Sequence, residues 1–213
     1  MIGDEHQKFM AMEEEKRQRI LNAAMTEFLK GFKNASTDNI VREAGISKGL
    51  LFHYFGTKEN LYNFLVDYAI DIVQAEYIDL INVSQKDILD SIWQLSLLKQ
   101  DLSHKYPMIF EFMARVYVDD KDCPAKEHLV RFQQIQAKGM QEIYNNCDKS
   151  LFRDDVSSER VIEIIMWTLN GFAAQITSSV DKDGIGKTAR DNYDVYLAEF
   201  KEYLDIMRRC FYK

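Results

Sequence analysis

Lys48, Gly49, Phe52 and His53 crowd into one short stretch a cation, a glycine backbone, an aromatic ring and an imidazole donor. Held on one surface, the cation and the ring nitrogen can meet phosphate oxygens while the glycine lets a backbone approach closely. The chemistry on offer is recognition of a phosphate-lined groove rather than catalysis. Such residues act together only if one helix presents them. Leu51 and Phe55, four apart, share the opposite, inward face of that helix. Ser47 precedes it and suits an N-cap, because a short hydroxyl accepts one of the orphan backbone N–H groups of the first turn.

A second short helix must hold the first in place. Ser36 or Thr37 can cap it, Ile40, Val41 and Ala44 supply a small apolar face, and Gly45 can adopt the left-handed conformation that ends it. Two capped helices separated by a sharp glycine turn form a helix-turn-helix layout, whose second helix is sized for a DNA major groove. Taken singly, the residues admit plainer readings. Thr37, Ser47 and Gly45 serve any short helix pair. Leu51 and Phe55 are core, while Lys48, Lys58 and His53 can be ordinary surface groups. Their joint spacing favours DNA.

From about Ile20 to Val66 the sequence resembles the DNA-binding domain of the tetracycline-repressor (TetR) family. The resemblance rests on Ala24 and Phe28, Gly31-Phe32, Ala44-Gly45-Ile46-Ser47-Lys48-Gly49, the run Leu51…His53-Tyr54-Phe55, and Thr57-Lys58-Glu59…Leu61. It implies that Thr37, Ser47, Lys48, Gly49, Phe52, His53, Tyr54 and Lys58 lie at or near DNA; Arg42 joins them as a cation of the same unit. The family usually has tyrosine where this chain has Phe52, so a phenolic phosphate contact is replaced by a ring that packs. Leu50, at a variable position, can touch a thymine methyl. The fold implied is all-α: an N-terminal three-helix helix-turn-helix domain joined to a C-terminal helical ligand-binding and dimerisation domain, about nine helices in all.

The chain has 213 residues, 46% hydrophobic content and only two prolines, which indicates a folded, helix-rich protein. A formal charge of −7 opposes DNA binding in bulk. Its distribution does not, because Lys30, Lys33, Arg42, Lys48 and Lys58 gather around the motif and the acidic residues are spread through the remainder. Glu13-Glu14-Glu15 followed by Lys16-Arg17-Gln18-Arg19 matches the dipole of a helix start. Cys123, Cys147 and Cys210 stand far apart with no Cys-x-x-Cys pair, so neither a metal nor a disulfide framework is indicated and no cofactor is expected. No apolar run approaches the roughly 20 residues that cross a bilayer. A cytoplasmic protein with no membrane partner is expected.

Three segments follow: residues 1–11 as a loose extension, 12–57 as the helix-turn-helix domain, and 58–213 as the effector-binding and dimerisation domain. Leu61, Phe64, Leu65, Tyr68 and Ile72 predict a long fourth helix from Lys58 to about Asn82 that joins the two domains. Ser84 can cap the next, which must end before Pro107. Pro107 opens a short aromatic helix to about Val118, and Pro124 opens one to about Asn146. From Val161 to Ile176 the chain is apolar almost all round, which signals a helix buried on more than one side. Tyr196, Leu197, Phe200, Leu204, Met207 and Phe211 form a stripe on the last helix, after a Gly-rich connector at Asp181 to Lys187. In the family such a pair, here about 157–180 and 188–212, packs against its twin. A homodimer also suits a palindromic double-stranded DNA site.

A small-molecule effector of unknown identity is implied for the C-terminal domain, with Trp93, Phe110, Met113, Tyr117, Glu163, Trp167 and Asn170 as candidate lining residues. Glu163 and Asn170 interrupt an apolar helix and so need partners, either a ligand or another side chain. The function expected is a repressor released from its operator when a largely apolar molecule binds. Two alternatives stay open: a DNA-binding regulator whose C-terminal domain docks a protein, and, more remotely, an all-helical enzyme, for which Asp101-x-x-His104 is the nearest metal-like spacing.

Overall fold

Short helices need their ends satisfied and one face covered, and the fold is best understood from how each helix meets those needs. The computed structural model describes residues 4–80, 84–118, 124–179 and 193–213. Ten α-helices lie among them: α1 (Asp4–Met10), α2 (Glu14–Phe28), α3 (Thr37–Ala44), α4 (Lys48–Phe55), α5 (Lys58–Glu76), α6 (Ile88–Lys105), α7 (Pro107–Val118), α8 (Lys126–Asn146), α9 (Ser158–Ser179) and α10 (Tyr193–Phe211). No strand occurs among the described residues; Phe152 and Tyr212 make one isolated antiparallel bridge. The all-α expectation holds, with α1 added to the nine helices foreseen.

The chain divides into two compact units, one of Met1–Ile72 with Tyr106–Phe132 and one of Val73–Lys105 with Gln133–Lys213. The first is larger than the 12–57 segment expected from sequence. Helix α2 packs on α3 and on α7, and an aromatic chain runs from Phe28 to Tyr62 (4.9 Å between ring centroids) and on to Phe112 (5.6 Å). The expected loose extension is corrected: from Asp4 the chain is helical, and Phe9 is fully buried. Arg17 closes the joint behind it, its Nη1 donating to the carbonyls of Met10 (2.6 Å) and Met12 (3.2 Å). Glu14 and Glu15 occupy the first turn of α2, as the dipole argument requires.

In the second unit, buried residues of α6, α9 and α10 form one core around Ile92, Ile162, Ile165, Phe200 and Leu204. Two boundaries differ from expectation. The helix that opens at Lys58 ends at Glu76, and a 3-10 turn at Ile78–Leu80 follows it. The cap of α6 is Asp87 rather than Ser84: its Oδ1 accepts from the backbone N–H of Leu89 (2.9 Å) and Asp90 (3.3 Å). A carboxylate directly before the first helical residue reaches these donors, which a serine further upstream does not. The Gly-rich connector at Asp181 to Lys187, like Cys123, lies outside the described residues.

Asp87 does more than cap. Arg208 Nη1 donates to its Oδ2 at 2.6 Å and the Tyr212 hydroxyl donates to its Oδ1 at 2.7 Å, so the start of α6 holds the end of α10. Nearby, Arg153 N donates to the Phe211 carbonyl (2.9 Å) and Lys213 N to that of Leu151 (3.1 Å). Burial pushes the Asp87 carboxyl up, but the Arg208 guanidinium, the Tyr212 hydroxyl and the Asp90 N–H outweigh it and hold the group below its ordinary value. Folding therefore favours the carboxylate. Its contribution is complete above the ordinary value of 3.8 and fades as pH falls through the lowered folded value. Asp87→Ala should cost the second unit about 1–3 kcal/mol, because Arg208 loses its half-buried partner as well as the helix its cap. Urea unfolding at neutral pH checks this, and an unshifted midpoint refutes the role.

Candidate nucleic-acid interface

Helices α3 and α4 meet across Gly45, whose φ of 65° is left-handed; no atom lies within 4 Å of a Cβ placed there, so the demand is conformational rather than steric. The N–H of Ile46 returns to the carbonyl of Val41 (3.0 Å), a six-to-one bond that satisfies the end of α3. Ser47 caps α4 as expected, its hydroxyl oxygen accepting from Leu50 N at 3.1 Å. Leu51 and Phe55 are buried, and Gly56, with φ 68°, ends the helix. Lys48, Gly49 and His53 are exposed on the other side, with Leu50, Phe52 and Tyr54 half-buried at its margins.

The cap of α3 corrects the sequence reading. Ser36 occupies the N-cap position, yet its side chain makes no capping bond there, and Thr37 is already helical. The work falls to Glu27 of α2, a carboxylate only 6% exposed. Its Oε1 accepts from the Ser36 backbone N–H (3.0 Å) and from Asn39 Nδ2 (3.1 Å), while its Oε2 accepts from Lys30 Nζ (2.6 Å). One side chain thus fixes the start of α3 against α2. Burial alone raises the Glu27 pKa, but the bonds from Lys30, Asn39 and Ser36 outweigh it and lower the group below 4.5. The signal was present in the sequence: Glu27 continues the helical row Ile20, Ala24 as the one carboxylate on α2's buried face.

The remaining candidates gather around this frame. Lys48 Nζ pairs with Asp38 Oδ1 of α3 at 2.7 Å, and Arg42 Nε with Glu43 at 3.2 Å. All four side chains are more than half exposed, so these pairs are weak and yield readily to phosphate. Lys58, at the start of α5, reaches the Lys33 carbonyl (3.4 Å) and lies over the Phe32 ring (4.9 Å). His53 stands beside Tyr54 with ring centroids 5.2 Å apart. From Lys30 to Lys58 five cations accompany only two carboxylates, Asp38 and Glu43, against a net charge of −7 for the chain.

The seven effector candidates divide between the units. Phe110, Met113 and Tyr117 lie on α7 in the first; Met113 is core, and Tyr117 is partly exposed beside Phe132. Trp93, Glu163, Trp167 and Asn170 lie in the second. Trp93 packs against the core with Lys201 Nζ 5.6 Å above its ring, Glu163 pairs with Arg160 on its own helix at 2.7 Å, and Trp167 and Asn170 face outward. A half-open apolar groove of about 360 Å³ in the second unit involves other residues, chiefly Ile88, Ala137, Met140, Ile143, Tyr144 and Met166. Asp101 and His104 are both exposed on α6. Among the described residues no group of three His, Cys, Asp or Glu side chains could hold a metal ion, and no helix is long and apolar enough to cross a membrane.

Residues 20–64 match the sequence model of bacterial regulatory proteins of the tetR family. A stretch of 78 residues is 37% identical to the HTH-type transcriptional regulator PksA of Bacillus subtilis (strain 168) and makes up 36% of each chain, so the match spans about a third of that relative's length. Among solved structures, the fold is similar to a TetR family transcriptional regulator from Chloroflexus aurantiacus J-10-FL, with a TM-score of 0.61 at 18% identity over 97% of this chain and 98% of that one. It is also similar to GusR of Salmonella enterica, with a TM-score of 0.59 at 16% identity over 93% of this chain and 99% of that one. The Mycobacterium tuberculosis ketosteroid transcriptional regulator KstR2 matches with a TM-score of 0.58 at 18% identity, over 95% and 97% of the two chains.

The role of Glu27 gives a direct expectation for stability. Glu27→Ala leaves the Ser36 N–H and Asn39 without their acceptor and should cost the first unit about 1–3 kcal/mol. Because the folded pKa is lowered, that contribution is present above about 4.5 and is lost as pH falls through the folded value. Thermal melts of the variant should therefore converge on those of the wild type in acid. A constant difference at every pH would count against an ionic cap.

Proposed function

We propose that the chain, whose residues 20–64 match the sequence model of bacterial regulatory proteins of the tetR family, is a TetR-family regulator and a ligand-responsive repressor of transcription. The observation that carries the reading is the outward face of α4, where Lys48, Gly49 and His53 stand exposed on a helix anchored from behind by Leu51 and Phe55. In this reading α4 is the recognition helix, Thr37, Arg42, Ser47, Phe52, Tyr54 and Lys58 flank it on the groove walls, and Leu50 meets a thymine methyl. Residues 12–57 serve as its DNA-binding segment and 58–213 carry effector binding and dimerisation.

A homodimer through the last two helices follows from the same reading. Their outward faces carry Ile164 (38% exposed) and Trp167 (67%) on α9 and Val195 (65%) and Ile206 (46%) on α10, apolar surface that a second copy would cover. A small, largely apolar effector is supported by the methionine-lined groove of the second unit. Helix α5 begins in the first unit and ends in the second, which makes it the natural lever by which the effector alters the separation of two recognition helices. Differential effector affinity of about 5.5 kcal/mol is enough to move such an equilibrium from mostly bound to mostly released.

Salt-dependent fluorescence anisotropy with the duplex flanking the protein's own gene, against unrelated duplex, tests the reading. Competitor-resistant binding is expected. Lys48→Ala should weaken it and reduce the slope of log affinity against log salt by about one phosphate contact; an unchanged slope removes Lys48 from the interface. Trp167→Glu should shift the protein from dimer to monomer in sedimentation, since a charge in a dry interface is costly. A Trp167→Glu protein that sediments as wild type would place the dimer contact elsewhere.

A further inference from the structure

We propose that α1 is a positioning element for the recognition helix, acting through Phe9; the inference rests on the DNA-binding reading of α4. A helix of eight residues cannot hold its own conformation in water and takes its stability from packing. On one side α4 leans on α3, and on another it leans on α1. The α1 contact is aromatic and dense. Phe9 is fully buried, with its ring 4.9 Å from Phe55, 5.4 Å from Phe64 and 5.6 Å from Tyr54, each at a steep interplanar angle between 63° and 87°. Those are favourable edge-to-face geometries. His6, one turn earlier, lies 4.8 Å from Phe64 and 5.8 Å from Phe55.

Phe9 therefore joins the second turn of α4 to the second turn of α5. It touches Tyr54 directly, and Tyr54 in turn packs on His53, so the wedge reaches the outward row through one intervening ring. The wedge is itself held. Arg17 of α2 grips the carbonyls of Met10 and Met12, and the Met12 N–H returns to the Phe9 carbonyl at 3.1 Å. Helix α1 and Arg17 both precede residues 20–64, so this support lies outside the segment that the family's sequence model matches.

The two kinds of DNA contact respond differently to a loosened α4. Base-edge contacts depend on sub-ångström placement of the helix and carry sequence discrimination, while phosphate contacts through long lysine side chains tolerate small displacements. Loss of the wedge should therefore weaken discrimination before it weakens general affinity for duplex.

The test uses the full chain and two 30-base-pair probes, a duplex recovered by the wild-type protein from a randomised pool and its scrambled counterpart. Phe9→Ala should lower affinity for the recovered duplex by about tenfold or more, leave the scrambled duplex within about threefold, and keep the salt slope. Phe9→Leu, which restores most of the volume, should recover most of the loss. Hydrogen exchange gives a second readout: in Phe9→Ala, amides of α4 should exchange faster before those of α2 do. Equal loss on both probes, or exchange that rises uniformly across the first unit, overturns the proposal. Should Phe9→Ala fail to fold, Arg17→Lys loosens α1 without opening the core and must show the same selective loss; its absence there also overturns the proposal. A pool that yields no preferred duplex refutes the DNA-binding reading instead, and the order of exchange in α4 and α2 then decides the role of Phe9 alone.

Discussion

A backbone N–H at the start of a helix has no partner within that helix, and in each unit of this protein a carboxylate supplies one at a helix start, the buried Glu27 in the first and the half-buried Asp87 in the second. Glu27 takes the N–H of Ser36 and thereby fixes α3 on α2; Asp87 takes those of Leu89 and Asp90 and thereby fixes the end of α10 on the start of α6. In both cases burial alone would drive the carboxyl towards neutrality, and converging donors reverse the effect. Each carboxylate does more than a serine cap because it also ties that helix start to another helix, α3 to α2 through Glu27 and α6 to α10 through Asp87. The same placement makes both units sensitive to acid.

The α3–α4 pair depends on its neighbours for nearly every feature of its geometry. Both helices have eight residues. Their turn depends on Gly45 in a left-handed conformation, the start of α4 on the Ser47 hydroxyl, the start of α3 on Glu27, and the far side of α4 on the Phe9 ring. Only the inner residues are committed to packing. Two outer cations, Lys48 and Arg42, are held in weak, exposed ion pairs with Asp38 and Glu43, which occupy them without costing them their availability to a polyanion.

The second unit has a different logic. Its core closes around Ile162, Ile165, Phe200 and Leu204, yet α9 and α10 leave a tryptophan and several aliphatic side chains in water. Among the described residues α9 is thus covered on one face and exposes Ile164 and Trp167 on another. The polar residue Glu163 of that helix has a plain explanation, a pair with Arg160 one turn earlier.

Sequence alone determined the elements whose causes are local: the Gly45 turn, the Ser47 cap, the Leu51/Phe55 face, the start of α7 at Pro107 and the apolar period of α9 and α10. Each depends on residues within one or two helical turns of one another, and propensity and spacing read such causes directly. The outward set Lys48, Gly49 and His53 was legible for the same reason, since a helix with a known inner face has a known outer one. Tertiary structure alone decided that α3 is capped from α2 rather than by Ser36, that Asp87 and not Ser84 opens α6, that Asp4–Met10 is a helix wedged by Phe9, and that the effector candidates of α7 and α9 fall in separate units. The Asp87 cap itself is local, two and three residues from its donors; the contacts of Glu27, Phe9 and the Asp87–Tyr212 tie join residues 9 to 125 positions apart, where competition among polar partners or aromatic rings is settled by three-dimensional proximity, a quantity that one-dimensional spacing does not contain.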